Sequence, residues 1–225
     1  MRNVIVTGGS RGLGLGIVRR LTGAGYRAIA IARKESTQLA VAREEADRAN
    51  PGSLHFVPFD LAEIAEIPQL VKAVRKEVGA IYGLVNNAAV GFDGVLATMP
   101  TAQIEQLVRV NTLAPIVLTK YVVRAMLAEG GGRIVNVASI VGFTRSLARE
   151  VVRLGVTVNA VAPGFLDTEM TQGLDDEHRQ QIARRSALRR LPDLADVADA
   201  VAFLLGDTAK SITGTVLTVD AGATA

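Results

Sequence analysis

Short runs of apolar and β-branched residues alternate along the chain with longer stretches in which apolar positions recur at a helical period. The short runs are apolar almost without a break, which is typical of parallel strands covered on both faces. They predict strands at 3–7, 27–32, 54–58, 83–86, 133–138, 157–162 and 215–219. The amphipathic stretches predict helices at 13–24, 38–50, 68–78, 101–129, 143–154, 176–184 and 195–205. This order indicates consecutive βαβ units.

The regular alternation of elements predicts an α/β fold of the Rossmann-like, doubly wound kind. We expect a seven-stranded parallel sheet with helices on both faces and a ligand site at the carboxyl ends of the strands. No linker, internal repeat or low-complexity segment divides the chain. Residues 1–225 are therefore predicted to form a single domain.

Composition narrows the class of protein. The chain has 225 residues, of which 49% are hydrophobic and 21% are charged, enough for one large α/β domain. It has no cysteine, which excludes disulfides, thiolate metal sites and a cysteine nucleophile. The two histidines, His55 and His178, are far apart in sequence, so no metal site is expected. The lack of cysteine suits a reducing cytoplasm, and a cytoplasmic location is expected.

Charge and hydropathy argue against two further classes of partner. The formal net charge is only +3 and aromatic residues make up 4% of the chain, whereas nucleic-acid proteins more often carry a strong basic stripe with exposed aromatic residues. No apolar run approaches the ~20 residues that cross a bilayer, and the first apolar stretch is too short for a signal peptide. We expect neither a nucleic-acid partner nor a membrane partner.

A glycine-rich segment connects the first predicted strand to the first predicted helix. Gly8, Gly12 and Gly14 lie in the sequence TGGSRGLG, where glycine permits a sharp turn and lets backbone approach a ligand closely. The helix start offers amide groups and the positive end of its dipole to a phosphate. The position of the loop, at the start of a βαβαβ run, favours a dinucleotide-binding loop. The alternative is a tight structural turn.

Two arginines indicate which dinucleotide is bound. An acidic residue at the end of the second strand usually accepts a hydrogen bond from an unphosphorylated ribose, whereas arginine accommodates a 2′-phosphate. The second strand is followed by Arg33 and Lys34, and the loop carries Arg11. Arg11 and Arg33 together favour NADP(H) as the cofactor. The alternative is that both arginines are solvated surface charges.

The glycine-rich loop and the motifs that follow it resemble the classical short-chain dehydrogenase/reductases. The motifs are NNAA after the fourth strand, VNTLAP in the long helix, VNVAS, APGFLDTEM and ITGTVLTVDAG, in family order over nearly the whole chain. Within that family the sequence is most similar to the 3-oxoacyl-[acyl-carrier-protein] reductases. In NNAA, Ala89 replaces the glycine that is usual in the family.

The resemblance assigns roles to individual residues. It implies that Asp60 meets the adenine, that the residues after the fourth strand lie near the nicotinamide ribose, and that the segment around Pro163 flanks the nicotinamide. The complete set of expected cofactor-binding residues is Gly8, Ser10, Arg11, Gly12, Leu13, Gly14, Arg33, Asp60, Leu61, Asn87, Ala88, Ala89, Pro163, Gly164, Leu166 and Thr168. Two residues are expected to be catalytic: Ser139 would donate to the developing alkoxide, and Asn111 would hold a relay water.

One part of the family's machinery is missing from the sequence. The family carries Tyr-x3-Lys after the serine, where the tyrosine exchanges a proton with the substrate oxygen and the lysine lowers the tyrosine pKa. At the family's spacing from the serine, Val152 stands where the tyrosine is expected and Val156 where the lysine is expected. None of the three tyrosines of the chain has a lysine four residues later. The residues before and after this point resemble the family's sequence on the two sides of a block that is absent here.

Two explanations for the missing block are open. Either the protein carries the block in a mobile segment that the 225 residues omit, which we favour, or the block is deleted and the chain is a binding scaffold. Deletion is geometrically feasible, because a helix of about 12 residues and a strand of six residues span similar lengths, roughly 18–20 Å.

The expected function is NADPH-dependent reduction of a ketone. By resemblance the substrate is a 3-oxoacyl thioester on acyl carrier protein or coenzyme A, as in fatty acid biosynthesis. Arg153 and the arginines between 184 and 190 could receive an acidic carrier. The alternatives are a sugar or small-alcohol dehydrogenase of the same family and an inactive NADP-binding protein. The apolar surface of the 101–129 segment favours a homo-oligomer, and the resemblance implies a tetramer.

Overall fold

A computed structural model describes residues 1–92, 94–138, 140–168 and 176–225. Within these residues the strands form one seven-stranded sheet in which all the neighbouring strands pair in parallel. The strands are β1 (Asn3–Thr7), β2 (Arg27–Ala32), β3 (Leu54–Pro58), β4 (Ile81–Asn86), β5 (Gly132–Val137), β6 (Val156–Pro163) and β7 (Val216–Val219). The predicted doubly wound α/β fold is confirmed.

The helices connect successive strands, as right-handed parallel crossovers require. They are α1 (Gly12–Gly23), α2 (Thr37–Ala49), α3 (Ile67–Val78), α4 (Thr101–Val108), α5 (Ala114–Ala128), α6 (Val141–Val151), α7 (Asp176–Arg185) and α8 (Leu194–Leu205). Local sequence explains several ends. Ser36 caps α2 by accepting a hydrogen bond of 3.0 Å from the Leu39 amide, and Asp193 forms a capping box with Asp196 at the start of α8.

The strand order is β3-β2-β1-β4-β5-β6-β7. The direction of winding therefore reverses between β1 and β4, and in open α/β sheets ligands bind outside the carboxyl ends of the strands at this kind of switch point. The glycine-rich loop leaves β1 at that point. The topology thus places the loop where a dinucleotide is expected.

Two buried clusters cover the two faces of the sheet. One cluster joins β-sheet residues to α1, α2 and α8, and it contains Ile17, Leu39 and Val201. The other joins the sheet to α3, α5 and α6, and it contains Val71 and Leu118. The strands that lie between them are buried on both sides, which is why they read as continuous apolar runs in the sequence.

The single helix predicted over 101–129 is divided in the structure. A π-helical segment, Arg109–Leu113, separates α4 from α5. The physical reason is Pro115, which has no N–H to donate to the Asn111 carbonyl and whose ring would clash with that carbonyl in a regular α-helix. Widening the turn relieves the clash. Segments of this kind are frequent at functional sites.

The helical run that contains this π-helical segment is also long and apolar. By length and composition alone Thr101–Ala128 could cross a bilayer. Buried residues of α5, such as Leu118 and Met126, pack against the sheet and α3. A core helix passes the same test of length and hydropathy.

The connection from β5 to α6 is short. The strand was predicted to continue to Ala138 but ends at Val137, because Ala138 adopts a left-handed φ of 76°. The Ala138 amide still donates to the Val161 carbonyl at 2.9 Å. Helix α6 begins at Val141, two residues earlier than predicted. The strand and the helix are therefore joined by residues 138–140 alone.

Candidate functional site

The loop after β1 is folded tightly against the end of β2. Gly8 has a φ of +69°, and its amide donates to the Ile31 carbonyl at 2.8 Å. A Cβ on Gly14 would lie 2.1 Å from the Gly8 carbonyl oxygen, closer than any real contact. Glycine at both positions therefore lets helix α1 start directly against the loop, as a phosphate-binding turn requires.

The start of α1 presents backbone amides at this turn. Its first backbone hydrogen bond runs from the Leu15 amide to the Arg11 carbonyl, so the amides of Gly12, Leu13 and Gly14 have no acceptor within the helix. The helix has no side-chain cap and no acidic residue in its first turn. Its positive dipole end is therefore available to an anion.

The predicted Arg33 lies in a segment that borders this loop. Ile31 accepts the Gly8 amide, and the Ser36 hydroxyl donates to the Ser10 carbonyl. Residues 31–36 are thus fastened to the loop at both ends, and exposed Arg33 projects from between them. Arg11 is exposed on the loop itself. The structure brings both arginines to one side of the site.

The segment after β4 is fastened to the opposite side of the loop. The Thr7 hydroxyl oxygen accepts hydrogen bonds of 3.0 Å from the amides of Asn87 and Ala88. The Asn87 side chain donates to the Thr7 carbonyl at 2.9 Å. A Cβ on Gly8 would lie 3.0 Å from the Ala88 Cα. These contacts place Asn87 and Ala88 beside the loop, with Ala89 exposed next to them.

The segment after β6 crosses in front of the start of α1. A Cβ on Gly12 would lie 4.0 Å from Thr168 Cγ2, so Thr168 lies over the loop. Leu166 is buried in the core and anchors the segment. The Gly164 amide donates to the Val219 carbonyl at 2.9 Å, next to partly exposed Pro163. These residues extend the site along the carboxyl edge of the sheet, from the end of β1 to the ends of β6 and β7.

A carboxylate at the end of β7 supports this segment. Asp220 accepts hydrogen bonds from the Thr224 hydroxyl at 2.7 Å and from the amides of Gly222 and Thr224. The Thr224 hydroxyl and these amides hold the pKa of Asp220 below its ordinary value. A Cβ on Gly164 would lie 2.7 Å from the Asp220 Cα. The turn that Asp220 closes therefore packs directly against the segment after β6.

The remaining predicted cofactor residues lie after β3. The Phe59 amide donates to the Ala32 carbonyl at 2.9 Å, which places Asp60 just beyond the end of β2. One Asp60 carboxylate oxygen accepts the Ala62 amide at 2.9 Å, and Leu61 is buried. The Asp60 side chain thus shapes its own turn at the same edge of the sheet as Arg33.

The predicted catalytic Asn111 has both polar groups of its side chain bonded to the backbone of Val90. Its carbonyl oxygen accepts the Val90 amide at 2.9 Å, and its amide donates to the Val90 carbonyl at 2.8 Å. Asn111 lies in the π-helical segment. The Asn111 side chain therefore holds the segment after β4 in place. The second predicted catalytic residue, Ser139, lies outside the described residues.

A buried chain of polar groups lies at the carboxyl ends of β4 and β5. The Asn86 side-chain amide donates to the Thr119 hydroxyl at 3.0 Å and to the side-chain Oδ1 of Asn136 at 2.8 Å. Asn136 in turn donates to the Thr144 hydroxyl at 2.9 Å. The Asn86 Oδ1 atom is buried without a partner among the described residues. Buried polar groups that bond to one another in a network hold this edge of the core in one arrangement.

These residues fit a dinucleotide. The Gly14 contact leaves no room for a side chain at the turn, the helix start presents its amides, and two exposed arginines border them. Within the described residues there is no group of three or more His, Asp and Glu side chains that could hold a metal ion. The amides and arginines at the turn are groups that bind phosphate.

Together the parallel sheet and the loop at its switch point define a dinucleotide-fold protein of the Rossmann class. The family model described as enoyl-(acyl carrier protein) reductase matches residues 8–224. The chain belongs to this family of short-chain dehydrogenase/reductases, so the resemblance recognised in the sequence is confirmed.

Among curated relatives, the 3-oxoacyl-[acyl-carrier-protein] reductase FabG of Escherichia coli K12 is 35% identical over 237 aligned positions, which cover 97% of this chain and 95% of the relative. The enzyme of the same name from Vibrio harveyi is also 35% identical, with the same coverage. The alignments contain more positions than the 225 residues of this chain. The relatives therefore carry residues that this chain lacks.

Solved structures give the same family. An actinorhodin polyketide ketoreductase with NADPH superposes with a TM-score of 0.90 at 32% identity, covering 99% of this chain and 97% of that one. A gluconate 5-dehydrogenase from Burkholderia cenocepacia, in complex with NADP and tartrate, superposes with a TM-score of 0.92 at 27% identity, covering 99% and 95%.

Several site residues were not identified from the sequence. Thr7 and Ser36 tie the loop to its two neighbours, and Thr144 completes the buried polar chain. The only indication of Thr7 in the sequence is a polar residue that ends an apolar strand. Thr144 gave no indication, because a single threonine inside an amphipathic helix is common.

Proposed function

We propose that this chain binds NADP(H) at the carboxyl edge of its sheet and serves the reduction of a 3-oxoacyl thioester to the 3-hydroxy compound. The observation that carries the proposal is the joint attachment of residues 31–36 and 87–88 to the loop around Gly8. This arrangement surrounds the amides at the start of α1 with Arg11 and Arg33 on one side. A pyrophosphate on those amides would leave the arginines for a 2′-phosphate.

The proposed binding roles follow the positions of the residues. The amides of Gly12, Leu13 and Gly14 would donate hydrogen bonds to the pyrophosphate, and the segment 87–89 would line the nicotinamide side. Thr168, which lies over Gly12, would close that side from the front. When bound, NADPH supplies a hydride donor. Two of the superposed structures are complexes with NADPH and with NADP, respectively, and this supports the choice of cofactor.

The substrate class rests on the relatives. The curated relatives are named for the reduction of 3-oxoacyl groups on acyl carrier protein. The serine at position 139 would donate a hydrogen bond to the substrate oxygen as negative charge develops there, an interaction that can contribute several kcal/mol. An acidic carrier would be received by the arginines between 184 and 190, because Leu188 in that segment bonds to Ala221 just beyond the carboxyl end of β7, whereas Arg153 lies just before β6 at the amino edge. Coenzyme A thioesters present the same reacting group.

A second function, NADP(H) binding without turnover, is favoured by the positions of the three tyrosines. Tyr82 lies near the start of β4 and donates to the Leu205 carbonyl at 2.7 Å, and Tyr26 stacks on it with ring centroids 6.1 Å apart. Tyr121 lies in the middle of α5 and lines a groove with residues 79–80, which directly precede β4. All three are therefore near the amino ends of the strands, away from the loop. None of them is placed to give a proton to a substrate.

A single set of measurements tests both functions. Intact mass first determines whether the protein has 225 residues. Calorimetry then measures binding of NADPH and NADH. Reduction of acetoacetyl-coenzyme A is followed by NADPH absorbance, beside sugars and polyols as substrates. We expect NADPH to bind in either case. Protein whose mass includes the additional block should reduce the thioester, whereas a mass-verified chain of 225 residues should do so only at the background rate, because the family's Tyr and Lys are absent from it.

Other outcomes would revise the proposal in different ways. Substantial turnover by the mass-verified chain would show that the tyrosine is not required and would leave the reductase function in place. Reduction of sugars but not thioesters would give the alternative dehydrogenase function. No binding of either nucleotide to folded protein would overturn the whole proposal.

A further inference from the structure

A basic groove lies between α3 and α5, away from the loop. It has a volume of about 600 Å³, and its polar lining includes Lys72, Arg75, Lys76, Arg124, Tyr121 and Glu129. The lining extends to Gly79 and Ala80, which directly precede β4. The groove therefore reaches the amino edge of the sheet, whereas the dinucleotide loop lies at the carboxyl edge.

The charges of the groove are concentrated by helical spacing. Arg75 and Lys76 follow Lys72 by three and four residues on α3, so both lie on the same side of that helix as Lys72. Arg124 faces them from α5. Among the described lining residues, Glu129 is the only carboxylate, and it pairs with Arg75 at 3.3 Å. The groove thus has an excess of positive charge.

The floor of the groove is apolar. Val71 and Ala125 are buried beneath the cations, and the Tyr121 ring is half-buried between the helices. The Lys120 ammonium lies 5.3 Å from the centroid of that ring. A ligand in the groove would therefore meet positive charge at the rim and an aromatic and aliphatic surface below.

We propose that the basic groove binds a nucleoside diphosphate, whose terminal phosphate is free; NADP⁺, whose diphosphate is esterified at both ends, lies outside this class. Arginine pairs with phosphate through a bidentate fork and lysine supplies compact positive charge, so Lys72, Lys76 and Arg124, which remain beside the Arg75–Glu129 pair, match a diphosphate. The Tyr121 ring and the aliphatic floor match a planar base. This site is separate from the proposed dinucleotide site and does not depend on it.

Charge reversal within the groove tests the proposal. ADP binding is measured by calorimetry at low ionic strength, with NADP⁺ present in excess to fill the dinucleotide site. In the double variant Lys72→Glu/Lys76→Glu we expect ADP binding at least about tenfold weaker. The matched control is Arg145→Glu/Arg149→Glu, which reverses two exposed charges at the same spacing on α6 and should change the affinity less than twofold. Circular dichroism verifies that both variants fold.

The contradicting outcomes are distinct from those of the proposed function. Absence of ADP binding, equal weakening in both double variants, or complete displacement of ADP by NADP⁺ would overturn the groove as a nucleotide site. Because the groove variant identifies the site, failure of NADP⁺ to bind would not affect this test. Inorganic pyrophosphate is the second probe, and binding as tight as that of ADP would overturn the role assigned to Tyr121.

Discussion

The Asn136 side-chain amide donates a 2.9 Å hydrogen bond to the hydroxyl of Thr144, across the connection from β5 to α6. The hydroxyl donates in turn to the Ile140 carbonyl at 2.9 Å, one turn back along the chain. Both side chains are almost completely buried. The two bonds therefore fix the first turn of α6 to the strand at the place where the family's Tyr and Lys would precede it.

Removal of the Thr144 hydroxyl should destabilise the protein. The substitution Thr144→Val keeps the shape of the side chain but leaves the Asn136 amide without an acceptor inside the core. We expect the free energy of unfolding to fall by about 1–3 kcal/mol, the cost of an unsatisfied buried polar group. Urea unfolding measures it. Thr208→Val, at an exposed position, is the control, and an equally large loss there would contradict the role of the buried bond.

The close approach of Gly14 to Gly8 predicts a strong effect on cofactor binding. In Gly14→Ala the added Cβ would meet the Gly8 carbonyl oxygen at 2.1 Å, so the loop must shift and its amides move. We expect NADPH affinity to fall by at least about tenfold, because the loss of one charge-assisted hydrogen bond between an amide and the pyrophosphate has an effect of this size. Calorimetry on folded protein measures the change.

Helix α1 contains its own control for this experiment. A Cβ on Gly16 would meet only the Leu194 Cβ, at 4.0 Å, which is ordinary contact. Gly16→Ala should therefore keep NADPH affinity, and it should stabilise the helix by about 0.5–1 kcal/mol. Equal loss of affinity in the Gly14 and Gly16 variants would show that helix propensity, not the loop contact, controls binding.

Most of the fold was predictable because its signals are local. A buried parallel strand must be apolar on both faces, so all seven strands could be located from runs of residues such as those around Ile29 and Val135. Element ends were less predictable. The π-helical segment depends on how Pro115 and Asn111 meet in the folded helix, and the end of β5 depends on the backbone angle at Ala138. Neither has a periodic signal.

The site was predictable only in part, for a related reason. Gly8 and Gly14 are identified by a local motif, and family order adds the segment at Asn87. The tertiary contacts have no such signal. The side chain of Asn111 could be expected to hold a water, but its bonding to both backbone groups of Val90 depends on segments that meet only in the folded protein.

The ion pair at the amino edge of the sheet predicts a dependence of stability on pH. Arg2 donates to Asp207 at 2.8 Å, and this hydrogen bond lowers the pKa of Asp207 below its ordinary value. A carboxyl with a lowered pKa in the folded state stabilises the protein above its unfolded pKa of about 3.9, and the contribution is lost as the pH falls through the folded pKa.

The variant Asp207→Asn should therefore have a lower Tm than the parent protein at pH 7. The difference should begin to shrink as the pH falls below about 3.9 and should vanish only below the lower, folded-state pKa of Asp207. Both groups are exposed, so the difference should be small. Thermal unfolding at pH 7 and pH 3 measures it. Glu150→Gln, at an exposed position on α6, is the control. A difference that increases as the pH falls would have the wrong sign for this ion pair.

The position of Arg33 between two attachments to the loop predicts its effect on cofactor preference. In Arg33→Asp the positive charge beside the proposed 2′-phosphate is replaced by a carboxylate, which would repel that phosphate and accept a hydrogen bond from an unphosphorylated ribose. We expect the ratio of NADPH to NADH affinity to fall by at least about tenfold, since each 1.4 kcal/mol is a factor of ten. Lys210→Asp, an exposed site on the opposite edge of the sheet, should leave the ratio unchanged. An unchanged ratio in the Arg33 variant would remove the argument for NADP(H).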